Sequence, residues 1–368
     1  NAPRERPGGT PRARTENTQL LRSKSIAMSS LSLSFSSKML RKVLDPGAVH
    51  PSRRTTTLPT GRCFFGSTAV RCEAGPVRLH TEWIAPEKNS GNNNNNNNIK
   101  NNDYTILFMH GLLGNGRNLK SFARKVVKQE SSNGGSCLGG FLLDLRGHGR
   151  SFQNQIKEKE SSGSYDKAST FRDCVLDIAH TLEELHADDE HLPPARVVVG
   201  HSFGGRLALE YAADAEMQKN PLKALWLLDT VPGRANKSVD RVLATITNVL
   251  AENSNGTSPP TKKEIVNVLT GAPHNMDLPT AQWLAMSYNE KTGGDFGFDN
   301  DFVTRTKPEF VHQDFMGLLR KILGENNNNN DGVAVHLVRG GKNTDWSIPV
   351  LSELEKLRKE FPATFHLH

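Results

Sequence analysis

Residues 196–212 read RVVVGHSFGGRLALEYA, a run of valines followed by a serine between glycines and then by a helical pattern. A strand, a sharp turn and a helix in this order hold a serine hydroxyl at the exposed tip of the turn. The glycines are required because the backbone turns tightly and the helix comes close to its neighbours. We therefore predict that Ser202 is a nucleophile and that Gly204 and Gly205 allow the close approach.

Four other apolar runs have the same character as the valines before Ser202. Near-continuous runs of this length are typical of strands buried on both faces. Helical patterns at about 119–130, 170–186, 204–218 and 348–361 alternate with them. The alternation predicts an α/β fold with a doubly wound, mostly parallel sheet and helices on both sides. The four runs are YTILFMHG (104–111), FLLDLRGHG (141–149), ALWLLDTVPG (224–233) and GVAVHLVRGG (332–341).

The strand signal stops between residues 234 and 323. Helical patterns replace it at 238–250, 262–269 and 280–288. An all-helical insertion of this length predicts a lid over the carboxyl edge of the sheet. Asparagine tracts at 92–98 and 326–330 cannot bury a face and are interpreted as solvated loop insertions.

The positive charge of the chain lies in its first 75 residues. The whole chain carries +7, whereas residues 1–75 hold 13 Lys or Arg against four Asp or Glu. The Ser- and Arg-rich stretch from Arg22 to Cys72 is typical of an organelle transit peptide, mitochondrial first and plastid second. A disordered tail, or untranslated sequence before a start at Met28, is the alternative. We predict a disordered arm over 1–75, one domain over 76–368, no nucleic-acid partner and no membrane span.

The cysteines show no paired spacing and no CxxC motif. They are interpreted as free thiols in a reducing compartment, without structural zinc. No glycine-rich phosphate loop and no metal-ligand cluster is found in the sequence, so neither a cofactor nor a metal is predicted. The cysteines are Cys63, Cys72, Cys137 and Cys174.

A serine nucleophile needs two backbone amides to bind the negatively charged oxygen that forms during the reaction. In this type of turn one amide belongs to Phe203, the residue after the serine, and the other to the loop after a central strand. The FMHGLLGN segment makes Leu112 or Leu113 the second candidate donor. His110 is interpreted as a structural residue of that loop, and His201 is predicted to point away from its neighbour, Ser202.

Five motifs together resemble the α/β-hydrolase superfamily, and more narrowly the esterases related to α/β-hydrolase domain-containing protein 11. The resemblance covers about residues 76–368 and implies an eight-stranded doubly wound sheet. It also implies hydrolysis of carboxylic ester or thioester bonds without a cofactor, and often a mitochondrial address. The motifs are HGLLGNGRNLKSFA (110–123), DLRGHGRS (144–151), GHSFGG (200–205), LLDTVPG (227–233) and VRGGKNTD (338–345).

Three aspartates are candidates for the acid of a Ser–acid–His triad, which runs in that chain order in this fold. Asp345 follows the 332–341 run and matches the usual superfamily position. Asp229, within the 224–233 run, ends the strand predicted after the helix that follows Ser202, and it resembles the acid that some of these esterases use. Asp314, late in the lid, aligns with a further aspartate in the related proteins. The sequence leaves the choice among the three open.

The base is the missing member of the triad. In the resembling esterases it lies on a loop after the last strand, and here the last predicted strand is ATFHLH, residues 363–368. His366 and His368 alternate with apolar residues, so they are predicted to be strand residues. We expect the last strand to be truncated, with the base and a final helix beyond residue 368. Without that base, kcat is expected to fall by about 10⁶.

The sequence therefore predicts a serine esterase or thioesterase that acts on a small acyl substrate. A non-catalytic binding or scaffold protein of the same fold is the alternative from another class. A carbon–carbon bond hydrolase is possible within the fold, whereas a dehalogenase is disfavoured because it needs an aspartate at position 202. Neither the acyl group nor the oligomeric state follows from the sequence.

Overall fold

The structure is a computed structural model. The predicted arm over 1–75 with its transit peptide, Cys63, Cys72 and both asparagine tracts lie outside the residues that it describes. Those described residues are 76–86, 100, 102–132, 136–162, 170–218, 220–233, 237–253, 259–290, 294–325 and 332–368.

A seven-stranded sheet in the order β1-β3-β2-β4-β5-β6-β7 forms the centre of the described chain. Strand β1 pairs antiparallel with β3, and all other neighbouring strands of the sheet pair in parallel. The predicted α/β sheet is confirmed, with seven strands described where the resemblance implied eight. The strands are β1 (Thr81–Ile84), β2 (Tyr104–Met109), β3 (Cys137–Leu143), β4 (Ala195–His201), β5 (Ala224–Leu228), β6 (Ala334–Val338) and β7 (Phe365–Leu367).

Ten described helices surround the sheet. The lid predicted over 234–323 is helical: α5 to α9 follow one another there, and α9 packs against α4. The helices are α1 (Lys120–Ser132), α2 (Gly149–Ser162), α3 (Phe171–Asp188), α4 (Phe203–Ala213), α5 (Lys237–Asn253), α6 (Lys262–Thr270), α7 (Leu278–Ser287), α8 (Asn300–Val311), α9 (Phe315–Glu325) and α10 (Ile348–Glu360).

The central strands are buried on both faces. All six residues of β2 and all five of β5 are buried, which explains why these strands read as continuous apolar runs. Alternate residues contribute to two different clusters, with Leu225 in the larger one and Trp226 in the smaller one. Because the six strands β2 to β7 are mutually parallel, their carboxyl ends share one edge of the sheet.

Candidate active site

Ser202 is the single residue between β4 and α4. Its backbone has φ 50° and ψ −111°, a positive-φ conformation that is strained for any residue except glycine. Its N–H donates to the carbonyl of Leu228 at 3.0 Å. The side chain is half-buried, and its hydroxyl makes no hydrogen bond within the described residues. The turn therefore presents this hydroxyl at the carboxyl edge of the sheet.

The glycines around this turn permit contacts that no larger residue allows. A Cβ on Gly204 would lie 2.5 Å from the carbonyl oxygen of His110, and one on Gly205 would lie 2.0 Å from Oγ1 of Thr230. The N–H of Gly204 donates to that same His110 carbonyl at 3.1 Å. The close approach predicted for both glycines is confirmed, and it places α4 against the loop after β2.

Strained backbone is concentrated at this edge of the sheet. Only four non-glycine residues of the described chain have positive φ: Leu113 at 64°, Ser202 at 50°, Asp229 at 46° and Asn275 at 47°. The first three lie in the loops after β2, β4 and β5. Strain of this kind persists where the surrounding structure holds it, and it clusters at functional sites.

The carboxylate of Asp229 is held by three donors. The backbone N–H of Gly340 and the indole Nε1 of Trp346 both donate to Oδ1, each at 2.9 Å. The side-chain Nδ2 of Asn343 donates to Oδ2 at 2.9 Å. All three donors come from the loop after β6, and no pattern in the sequence indicates that they share one target. Asp229 is therefore fixed beside the end of β4, with Oδ2 able to accept a further hydrogen bond.

The structure brings Asp345 close to Asp229 and places Asp314 elsewhere. The Oδ2 atom of Asp345 is buried and has no hydrogen-bond partner within the described part of the chain. Burial, reinforced by the negative charge of Asp229, raises the pKa of Asp345. Asp314 is exposed, and its Oδ1 accepts the N–H of Gly317 at 2.9 Å in the first turn of α9. Asp314 thus has the structural role of a helix cap.

The two candidate amides of the loop after β2 differ in their partners. The N–H of Leu113 points at Nε2 of His148, at 3.3 Å. The N–H of Leu112 makes no hydrogen bond among the described residues. Phe203 begins α4, where backbone amides and the helix dipole favour negative charge. His148 lies between two glycines in the DLRGHGRS motif, which was the sign in the sequence that this residue has a specific role.

His148 forms a buried pair with His110. Their ring centroids are 5.2 Å apart. The Nε2 atom of His110 accepts the N–H of Leu145 at 3.0 Å, and its Nδ1 donates to the Gly111 carbonyl at 2.8 Å. The Nδ1 atom of His148 donates to the Arg146 carbonyl at 2.8 Å. These bonds require neutral rings, which agrees with the structural role predicted for His110.

We expect the protein to lose stability in mild acid because of these two rings. Burial lowers the pKa of His110 to about 4 and that of His148 to about 3. Below about pH 6.5 the unfolded chain binds protons that the folded chain excludes, so the free energy of unfolding falls as the pH falls towards 4. The slope is about 1.4 kcal/mol per pH unit for each histidine.

Urea unfolding between pH 7 and pH 4 measures this slope. His148→Gln keeps an acceptor for the Leu113 N–H, removes one titrating group, and should make the slope shallower. The exposed His191 supplies the control His191→Gln, which should leave the slope unchanged. Equal slopes for wild type and His148→Gln would contradict the prediction.

The remaining histidines near the sheet do not contact the Ser202 hydroxyl. A Cβ on Gly111 would lie 2.7 Å from Nδ1 of His201, so this ring packs on the loop after β2. His366 lies within β7, as predicted. His368 follows that strand, and its Nε2 lies 3.1 Å from Nδ1 of His336. Within the part of the chain that the structure describes, Ser202 has no imidazole partner.

The described residues contain no group of three or more His, Cys, Asp or Glu side chains arranged to hold a metal ion. No described helix combines the length and the apolar character that crossing a bilayer requires. Cys137 and Cys174 are buried free thiols, as predicted for these two cysteines.

Known proteins share parts of this sequence and fold. The sn-1-specific diacylglycerol lipase ABHD11 of Danio rerio is 28% identical over 133 residues, which cover 36% of this chain and 33% of that protein. The match therefore spans about a third of the relative's length. A marine microorganism esterase has a TM-score of 0.46 at 15% identity, covering 79% of this chain and 89% of that one.

Two other solved structures are similar at the same level. The peroxisomal α/β-hydrolase Lpx1 of Saccharomyces cerevisiae has a TM-score of 0.48 at 12% identity, with 79% of this chain and 81% of that one covered. The thioesterase domain from the curacin biosynthetic pathway has a TM-score of 0.43 at 19% identity, covering 72% and 83%. The sequence profile of the alpha/beta hydrolase fold matches residues 104–366. Since this match spans most of the chain, the protein belongs to the alpha/beta hydrolase fold family.

Proposed function

We propose that this hydrolase cleaves carboxylic ester or thioester bonds through an acyl-enzyme formed on Ser202. The observation that carries the proposal is the strained backbone of Ser202 between β4 and α4, with a hydroxyl that has no partner among the described residues. A nucleophile at such a turn is the recurring device of this fold. The relative's name refers to a lipase acting on diacylglycerol, which is an ester.

In the proposed reaction, the Oγ of Ser202 attacks the acyl carbon while an imidazole base takes its proton. The base then passes the proton to the departing alcohol or thiol. Water adds to the acyl-enzyme in the same way, releasing the acid and restoring the serine.

We favour Asp229 over Asp345 as the acid of the triad. A triad acid has to be fixed and ionised to orient the imidazole and stabilise its charged form. Three donors fix Asp229. The raised pKa of Asp345, caused by burial and by the charge of Asp229, disfavours its ionised form.

We propose that the amides of Phe203 and Leu112 bind the oxyanion. The Leu113 amide already donates to His148. The Leu112 amide has no such partner in the described chain. An amide that is held in place before the reaction stabilises the developing charge without reorganisation.

Labelling with a fluorophosphonate tests the nucleophile on the full-length protein. We expect covalent labelling on the peptide that contains Ser202, and its complete loss in Ser202→Ala. Ser352→Ala changes an exposed serine of α10 and should label as the wild type does. Labelling retained in Ser202→Ala would contradict the assignment, whereas a folded wild type that never labels would favour the non-catalytic alternative.

We also propose a mitochondrial address, with the plastid as second choice. The excess of Lys and Arg within residues 1–75 supports it. Cytosolic retention of a fluorescent protein fused to these residues would contradict it.

A further inference from the structure

A cavity of about 350 Å³ lies beside β1. Its walls come from β1, the loop after β2, the start of α2 and the segment that follows α7. Neither Ser202 nor Asp229 lines it. The cavity is therefore separate from the candidate active site, and its volume falls within the range of small-molecule sites.

Two carboxylates in the cavity wall already have their own donors. Asp144 accepts the backbone N–H of Gly116 at 2.7 Å and that of Arg150 at 2.8 Å. Glu82 forms an ion pair with Lys120. These two carboxylates therefore stabilise contacts between the segments that form the cavity wall.

The third acid in the wall, Glu290, accepts a backbone N–H, as Asp144 does. Its Oε1 accepts the backbone N–H of Lys262 at 2.6 Å. This bond joins the start of α6 to the segment after α7. The donor is the main-chain N–H of Lys262, so the side-chain ammonium group remains available in the cavity.

Three cationic side chains line the cavity without a carboxylate partner in the described chain: Arg117, Arg150 and Lys262. The Arg117 guanidinium forms no ion pair or hydrogen bond there. The Lys262 ammonium only approaches the carbonyl oxygen of Met286, at 3.5 Å. Lys120 neutralises Glu82, so the three cations share the wall with two remaining carboxylates, Asp144 and Glu290, and the excess is one positive charge. None of the three cations contacts a carboxylate of the described residues directly, so their N–H groups remain available to a ligand.

The third cation, Arg150, is oriented by a neutral histidine. Its Nη1 lies 3.3 Å from Nε2 of His80. Burial lowers the pKa of His80, and the charge of Arg150 adds to this effect while Asp144 opposes it. A neutral His80 accepts one guanidinium N–H and leaves the remaining donors of Arg150 available.

One rim of the cavity is apolar. The side chain of Met286 is 63% exposed, which is unusual for a large hydrophobic residue, and it lies in the wall beside the buried Tyr288. An exposed apolar side chain next to a polar cavity favours a ligand that has an apolar part as well as a charged one.

We propose that this cavity binds a small organic phosphate, with its phosphate at Arg117, Arg150 and Lys262 and its organic part against Met286. The N–H groups of these three cations match the three free oxygens of a phosphate monoester better than the two oxygens of a carboxylate. The fork of N–H donors on a guanidinium fits two phosphate oxygens at once.

Isothermal titration calorimetry of the full-length protein with phenylphosphonate tests the proposal. This probe is a stable dianion with an apolar ring. We expect saturable binding that weakens as ionic strength rises. Arg117→Gln and Arg150→Gln, both at exposed positions, should each weaken binding about tenfold. Arg305→Gln on α8 removes an exposed arginine outside the cavity and should bind as the wild type does.

Benzoate and inorganic phosphate separate the two parts of the ligand. Benzoate should bind more weakly because it offers two acceptor oxygens instead of three, and inorganic phosphate more weakly because it lacks the ring. Equal binding of benzoate, no saturable binding of phenylphosphonate, or equal losses in Arg150→Gln and Arg305→Gln would overturn the proposal.

Ser202→Ala separates this site from the proposed active site. The variant should bind phenylphosphonate as the wild type does, because Ser202 is not part of the cavity. Loss of binding in this variant would place the ligand at the serine and overturn the proposal. Failure of fluorophosphonate labelling, by contrast, would reject the proposed hydrolase and leave the calorimetric result unaffected.

Discussion

Asp229→Asn is expected to lower kcat for p-nitrophenyl acetate by about 10⁴ in the full-length protein, the loss typical of a triad acid replaced by its amide. The substitution conserves size and keeps an acceptor oxygen, so the loop after β6 retains part of its anchoring. It removes the negative charge that orients the imidazole and stabilises its protonated form. The change should appear in kcat, with KM altered little.

Asp345→Asn is the matched control, because it makes the same chemical change in the neighbouring carboxylate. Its effect on kcat should be less than about tenfold if Asp229 is the acid. The reverse ranking, with the larger loss in Asp345→Asn, would transfer the role to Asp345. Equal urea midpoints for both variants would show that the difference arises in the site and not in folding.

Burial determines which strands the sequence reveals. The residues of β2 and β5 are buried on both faces and therefore read as continuous apolar runs. The edge strand β1 buries only Ile84 fully, and its Trp83 is 42% exposed, so it leaves neither an apolar run nor a clear alternation. Among residues 149–157 of α2 only Ser151 is buried, so this part of the helix gives no periodic apolar signal.

The local parts of the site were predictable, whereas the contacts between distant loops were not. The strand, the glycines and the helix start around Ser202 lie within one short stretch, so the turn follows from local sequence. The donors that hold Asp229 lie more than 100 residues further along the chain, at Asn343 and Trp346. The bond from Leu113 to His148 likewise depends on how two loops pack, which no spacing pattern records.

Breaking the buried ion pair between Arg146 and Asp177 should destabilise the protein more than any other single change to a charged residue discussed above. The Arg146 Nε and Nη2 atoms donate to the two carboxylate oxygens of Asp177 at 2.6 and 2.7 Å. The side chains are 5% and 0% exposed. Oδ1 of Asp177 also accepts the N–H of Val77 at 2.8 Å, which ties down the segment before β1.

Asp177→Ala is expected to lower the free energy of unfolding by about 3–5 kcal/mol, because it removes the carboxylate that compensates the buried Arg146 charge. The substitution should also disturb the candidate active site, since the Arg146 carbonyl accepts the Nδ1 proton of His148. Urea unfolding measures the stability. Glu360→Ala, which breaks the exposed ion pair with Arg320, is the control and should change the midpoint little.

The double variant Arg146→Met/Asp177→Leu distinguishes two causes of instability: the buried charge of Arg146 after the Asp177 carboxylate is removed, and the loss of the contacts that Asp177 makes. Removing both charges eliminates the desolvation penalty that the single variant leaves behind, so most of the stability should return. If the double variant is as unstable as Asp177→Ala, the bond to Val77 and the packing around the pair, rather than the uncompensated charge of Arg146, cause the loss of stability. A single variant with wild-type stability would show that water reaches Arg146 and that the pair is not buried in solution.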